Sequence, residues 1–197
     1  MKGLTIFTCL VLIVCAVCSF MPISDEAEIY EKTVRLHVLA NSDSEHDQSV
    51  KLAVRDAILS EISDITSGAK NAYEAEALIN GKLDYIKALA EQALSALGED
   101  KTVSVTLSEE YYPTREYGDF SLPAGSYCSL RVMIGEAAGR NWWCVLYPSL
   151  CVSGAKTEET LVNTGFSKEQ IDILTGGEKP RYKLKFKILE LFEKGLG

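Results

Sequence analysis

With 197 residues, 47% of them hydrophobic and 24% charged, the chain has an ordinary globular composition and enough length to bury a core as one domain with short additions. Its 28 acidic residues outnumber 20 basic ones for a net charge of −8, and because Lys2 is the only charge before Asp25, the remainder carries −9. That balance excludes nucleic acid and anionic lipid as main partners, since both are held by Lys and Arg neutralising phosphates, and leaves a protein partner as the expectation.

Lys2 and the apolar run Leu4 to Phe20 have the layout of an export signal with a short basic start, slightly short for a transmembrane helix. Ala16 and Cys18 are small enough for the −3 and −1 positions of a cleavage site, with a second option near Ser24. Val17 argues against a lipoprotein site before Cys18, and an uncleaved anchor over residues 1–24 is the alternative. The charged stretch Asp25 to Lys32 reads as a linker.

Thr33 to Ala40 alternates as a strand. Val34, Leu36, Val38 and Ala40 share the buried face, and Arg35 and His37 fall on the wetter one. Asn41 to Glu45 punctuates the chain and opens a helix, with Ser42 and Glu45 spaced as a capping box. Val50, Val54, Ala57, Ile58, Ile62 and Ile65 give that helix an apolar stripe to about Ser63, and Ser67-Gly68 breaks it. A second stripe, Ile79, Leu83, Ile86, Ala90, Ala93 and Leu97, predicts one long amphipathic helix before Gly98.

Thr102 to Leu107 resumes a period of two, with Val103, Val105 and Leu107 inward. Tyr111 to Asp119 reads as a tyrosine-rich loop of the length that tends to carry function, closed by Leu122 to Gly125. Ser126 to Ile134 is a strand with Cys128, Leu130, Val132 and Ile134 on one side, and Gly135 to Gly139 turns into Trp142 to Tyr147, a strand that Pro148 ends. These last three strands are expected to form an antiparallel meander. Alternation puts Trp142, Cys144 and Leu146 on one face and Trp143, Val145 and Tyr147 on the other, so at most one tryptophan faces a single core. Either both faces are covered, or one indole stays exposed as a binding anchor.

Thr157 to Val162 and Ser167 to Leu174 read as short helices, and Tyr182 to Lys194 as strand first and helix last, its lysines solvating a face. The elements sum to an α+β fold: a small, mostly antiparallel sheet packed against two N-terminal helices, with a short mixed C-terminal extension. The organisation is a signal or anchor (1–24), a linker (25–32), the α+β domain (33–152) and the extension (153–197).

Cys9, Cys15 and Cys18 belong to the signal, so export into an oxidising compartment leaves Cys128, Cys144 and Cys151, with three possible pairings. The turn at Pro148 favours Cys144 with Cys151, a short loop that stabilises by roughly 2–3 kcal/mol and leaves Cys128 a free, buried thiol. The alternative keeps all three reduced. No catalytic, metal or cofactor constellation emerges: His37 and His46 are the only histidines, and no zinc or calcium spacing is present. Alternation sets Cys128 and His37 on strand faces of opposite character, which disfavours a Cys–His pair. Asn41 to Asp47 has the polarity of a cation loop, but helix caps explain the same residues, and Asp119 and Arg131 read as a surface pair or turn residues.

Val34 to Ser44, Asp47-Gln48, Lys51 to Ala57, Tyr117-Gly118-Asp119, Leu122 to Gly125, Tyr127, Leu130-Arg131-Val132, Ile134-Gly135, Gly139 and Asn141 to Pro148 with Cys151 together resemble the stage II sporulation protein R family. The blocks run in order from Val34 to Cys151. The resemblance implies a protein that is not itself an enzyme. Made in the forespore and exported into the space between the forespore and mother-cell membranes, it would trigger a membrane-embedded aspartic protease of the mother cell to cut the precursor of sigma factor E. Membrane contact would be made through the N-terminal segment before cleavage. The resemblance also implies that Cys144 and Cys151 belong together. The expected receptor surface combines Trp143 and Tyr147 with Tyr111, Tyr112, Arg115, Tyr117 and Asp119 of the loop, and Arg35 and His37 beside them. The competing readings are an exported hydrolase of the cell wall and a structural envelope protein held by its N-terminal segment.

Overall fold

The computed structural model describes residues 2–19, 24–150 and 157–176. Helix α1 (Lys2–Ser19) leaves Ile6, Phe7, Leu10 and Leu12 exposed. Among the described residues no helix is long and apolar enough to cross a membrane. Helix α2 (Ser24–Glu31) occupies the segment expected as a linker, because Ile29 is wholly buried and anchors it. Its last turn is tied further on, where Lys32 Nζ donates to Gly165 O at 3.0 Å and to Gln170 Oε1 at 2.9 Å.

The fold is α+β, with a mostly antiparallel four-stranded sheet in the order β2-β5-β1-β6. Its strands are β1 (Val34–Leu39), β2 (Val103–Tyr112), β5 (Gly125–Ile134) and β6 (Asn141–Tyr147), and a small hairpin pairs β3 (Arg115–Tyr117) with β4 (Phe120–Leu122). The meander is not formed: β5 runs antiparallel to β2, but β1 lies between β5 and β6, parallel to the first and antiparallel to the second. The reason is visible in residues 135–140. Gly139 N donates to Ala40 O at 2.9 Å and Ala138 N to Asn41 O at 3.2 Å, so the connection straddles the end of β1 rather than turning back on β5. Cβ atoms at Gly135 and Gly139 would collide with Asn41 and the Ser42 carbonyl, so this crossing needs glycine at both.

One face of the sheet is the apolar core. Helices α3 (Glu45–Ile65), α4 (Ala72–Asn80) and α5 (Leu83–Ala96) bring Val50, Val54, Ile58, Ile62, Ala75, Ile79, Ile86 and Ala90 against Val34, Leu36, Val38, Leu130, Val132, Cys144 and Leu146. Each buried Ile or Leu there contributes about 1.5–3 kcal/mol from apolar surface removed from water. The second apolar stripe is two helices rather than one. Its spacing runs from Ile79 to Leu83 through a break at Gly81-Lys82, where Gly81 N bonds back to Ala77 O and closes α4.

Helix α3 is capped two residues later than its sequence suggests, at Ser44 rather than Ser42. Ser44 Oγ accepts from Asp47 N at 3.1 Å, while Ser42 donates to Asp47 Oδ2 at 2.5 Å and Asn41 Nδ2 to the same atom at 2.9 Å. With Lys101 Nζ 3.3 Å from its other oxygen, Asp47 is saturated with donors. These bonds, first those from Ser42 and Asn41, hold its carboxyl well below the usual carboxylate range. The cluster joins the β1–α3 connection to residues 135–140, where Glu136 N reaches Asn41 Oδ1 and Arg140 N reaches Asp43 Oδ1.

The other face is covered by α2, by the β3–β4 hairpin and by α6 (Thr157–Asn163) and α7 (Lys168–Thr175), the two short helices expected from their Ser/Thr starts. Ser167 and Gln170 close a reciprocal capping box on α7. Ile29, Phe120, Leu122, Val145, Leu161, Phe166, Ile171 and Leu174 make this a second core, so residues 157–176 pack into the domain. The expected strand and helix at Tyr182 to Lys194 lie outside the described residues.

Candidate functional site

The face that sequence alternation assigned to solvent is buried. Arg35 is 0% and His37 5% exposed, because β1 is a central strand with layers on both sides. Nothing in a single strand's alternation reports whether its polar side is also covered.

Cross-strand register gathers the site. Arg35 stands beside Ser129 and Val145, His37 beside Arg131 and Trp143, and Tyr127 beside Glu110. Strand β2 continues to Tyr112, five residues beyond the expected end at Leu107, and so carries Glu110 and Tyr112 onto the same face. Much of the expected loop is therefore strand, and β3 follows directly. Glu110 organises the polar half. Its carboxylate lies 2.9 and 3.0 Å from His37 Nδ1, 3.1 Å from both Ser129 Oγ and the Tyr112 hydroxyl oxygen, and 3.5 Å from Arg131 Nε. Tyr112 and Ser129 share a further 2.6 Å bond.

Arg35 organises the aromatic half. Its guanidinium carbon lies 3.8 Å from the Tyr112 ring centre, 4.9 Å from Tyr127 and 5.8 Å from Tyr117, and Nη2 donates to the Tyr117 hydroxyl. The faces of these rings carry the negative lobe of the aromatic quadrupole, which suits a cation. Burial raises the hydroxyls of Tyr112, Tyr117 and Tyr127 above their ordinary pKa, partly opposed by the positive charge of Arg35 at each. Tyr30 extends the cage, its ring 5.0 Å from Tyr127 and its hydroxyl donating to Ala124 O at 3.0 Å, with its own pKa pushed up to about 12 chiefly by burial. Gly125 makes room, since a Cβ there would come within 2.6 Å of the Tyr30 ring.

Neither tryptophan is a freely exposed anchor. Trp143 is half-buried, 5.6 Å from His37 and 6.2 Å from Tyr112 between ring centres, and the Arg115 guanidinium lies over it at 3.7 Å. Trp142 packs on the apolar side beneath Arg55, 4.1 Å from its ring centre. Trp143, Tyr112, Arg115, Tyr117, Arg35 and His37 thus do come together, but as one packed cluster. Tyr147 does not join them. The β1–β6 register shifts between Val34 and Arg35, pairing Val34 with Tyr147 and Arg35 with Val145, and this bulge sends Tyr147 into the apolar core. Tyr111 points to solvent at 69% exposure, and Asp119 is taken up by Thr157, whose hydroxyl donates to it at 2.7 Å. Arg131 pairs with Glu110 rather than with Asp119. The members that sequence reasoning missed are Glu110, Tyr127, Ser129 and Tyr30, and the alternation Ser108, Glu110, Tyr112 was the available signal for the first.

Cys144 is disulfide-bonded, whereas Cys9 and Cys128 are free. Cys151, its expected partner, lies outside the described residues. Cys128 is half-buried, and burial, with Glu76 beside it, pushes its thiol up to about 12. It belongs to the opposite face from His37, beside Val34. Among the described residues no group of three or more His, Cys, Asp or Glu is placed to hold a metal ion.

Residues 30–157 match the family model described as Stage II sporulation protein R (spore_II_R). A protein of Bacillus subtilis (strain 168) named Stage II sporulation protein R is 39% identical over 123 residues, covering 62% of this chain. The match spans 55% of that relative's length. No solved structure matches.

Proposed function

We propose, from the premise that this chain belongs to the stage II sporulation protein R family and so has a role in sporulation, that it is an exported signal and that the Arg35–Trp143 face is where its receptor docks. The receptor in this reading is a membrane-embedded aspartic protease of the mother cell, and the consequence of docking is cleavage of the sigma factor E precursor. The site of action is the space between the forespore and mother-cell membranes. The chain's own role is contact rather than catalysis.

The observation that carries this reading is the clustering of Trp143, Arg115, Tyr117, Tyr112 and Arg35 on one face. Trp, Tyr and Arg are the residues that dominate binding energy at protein interfaces. A ligand activates a two-state receptor only by binding its active state more tightly, and turning it from mostly off to mostly on takes about 5 kcal/mol of difference. The half-buried Trp143 with its Arg115 cover and the adjoining hairpin are a compact source for such a difference. The apolar N-terminal segment and the disulfide-bonded Cys144 fit an exported protein.

The test is precursor cleavage in a non-sporulating host that expresses the protease and the precursor. Wild type is expected to give cleavage, deletion of residues 2–24 to abolish it, and Trp143→Ala to reduce it at least about ten-fold while still secreted and folded, the size expected when an anchor is truncated. Cleavage by the unexported form at the wild-type level would overturn the export reading, and a fully active Trp143→Ala would move the docking face elsewhere.

A further inference from the structure

Two guanidinium groups on this face have no carboxylate. Arg35 is wholly buried, spends Nη2 on the Tyr117 hydroxyl, and leaves Nε and Nη1 buried without a hydrogen-bond partner among the described residues. Arg115, stacked on Trp143, has its Nε buried and equally unpartnered. Both groups face Tyr117, where each positive charge opposes the rise that burial imposes on the hydroxyl. The sheet's carboxylate on this face, Glu110, is occupied by His37, Tyr112, Ser129 and Arg131, and Glu26 of α2, whose charge is felt at Tyr30 and Tyr127, forms no ion pair with either arginine among the described residues. Aromatic faces attract the charge of Arg35, but they do not satisfy three N–H donors.

We propose that Arg35 and Arg115 form a carboxylate-binding site that takes an acidic side chain of the partner protein, inserted beside Trp143 at the β3–β4 hairpin. The chemistry follows from the donors. A guanidinium presents Nε and a terminal nitrogen as a fork that matches the two oxygens of a carboxylate. A side chain of a docked protein suits the site better than a free anion, because a chain of net charge −8 repels small anions in bulk and the walls are Trp, Tyr and Arg. The hairpin that borders the site is slight, three residues to a strand, fastened by the Tyr117–Phe120 stack at 5.1 Å and the Thr157–Asp119 bond. The identity of the partner rests on the signalling reading above; the anion site does not.

The experiment has two arms on the full chain. In the first, the Nε–H resonances of the ¹⁵N-labelled protein are followed during titration with sodium acetate, sodium phosphate and sodium chloride at matched ionic strength. Arg35 and Arg115 are expected to shift saturably with acetate and not with chloride, and Arg115→Gln to weaken the acetate response of Arg35 about ten-fold, the loss of one charged hydrogen-bond partner, with far-UV circular dichroism and the urea midpoint unchanged. No response to acetate, or a response to phosphate alone, overturns the carboxylate site whatever the signalling result. In the second arm, Arg115→Gln is supplied in the cleavage assay. A drop of about ten-fold is expected for a lost charged contact. Wild-type cleavage by Arg115→Gln overturns the partner contact while leaving the signalling reading standing, and absence of cleavage with the unmodified protein overturns the signalling reading and leaves the acetate result to decide the site.

Discussion

The two faces of one sheet are built on opposite terms. Towards α3, α4 and α5 the contacts are apolar and non-directional, so burial alone holds the helices in place. Towards α2, α6, α7 and the hairpin the same strands present Arg35, His37, Glu110, Ser129, Tyr112 and Tyr127, which are tolerable only as a network in which partners meet at hydrogen-bond distance. The first face gives stability cheaply. The second gives a specific arrangement that leaves four guanidinium nitrogens, Nε and Nη1 of Arg35 and Nε of Arg115 and Arg131, buried without a hydrogen-bond partner among the described residues, and such exceptions in a buried network call for an explanation.

This contrast is easiest to break on the apolar side. Ile58→Ala removes a wholly buried side chain from between α3 and the sheet and is expected to cost about 2–5 kcal/mol, read as a lower urea midpoint with an unchanged slope. On the polar side, Glu110→Gln keeps the shape but removes the charge that His37 and Arg131 face. The expected loss is about 1–3 kcal/mol, and a double-mutant cycle with Arg131→Met should show coupling that Ile58→Ala does not share. A loss as large as that of Ile58→Ala would mean that the network, not the helices, dominates stability.

A smaller effect belongs to the β1–α3 connection. The Asp47 carboxyl titrates below its unfolded value because Ser42, Asn41 and Lys101 donate to it, so its contribution is fully present above about pH 4 and is lost as the pH falls below that. Asp47→Asn should therefore be less stable than wild type at pH 7, with the difference shrinking as the melting temperature is measured at successively lower pH between about 4 and 2. A constant difference would mean that shape rather than charge matters there. The smallest effect is expected at Tyr111→Ala, within about 0.5 kcal/mol of wild type in stability, because its side chain stands in solvent. In the cleavage assay it should signal like wild type, in contrast to Trp143→Ala. Loss of signalling in Tyr111→Ala would extend the docking surface along β2.

Much of the apolar face was legible residue by residue. The period of two in Val34, Leu36 and Val38 and the helical stripe of Val50, Val54, Ile58 and Ile62 report burial directly, because both elements repeat with a fixed geometry. The break at Gly81-Lys82 was not, since apolar spacing carried straight across it. Of the candidate site, the residue types were legible but not their placement. Arg35 and His37 read as wetter positions because alternation distinguishes two faces without saying that both are covered. Tyr147 read as a neighbour of Trp143 because a bulge leaves no mark in the pattern it interrupts.

The sequence by itself determined the α+β class, the family, the apolar face and the aromatic and arginine residues from which the site is built. It did so because local periodicity and long ordered motifs are properties of the chain. Only the tertiary structure decided that β1 lies between β5 and β6, that Glu110 rather than any neighbour in sequence answers His37, and that Arg35 is caged while Arg115 covers Trp143. Those facts depend on strand order and register, which for β1 are set by contacts between residues that lie from 94 (Val34 to Cys128) to 113 (Val34 to Tyr147) positions apart and have no local signature.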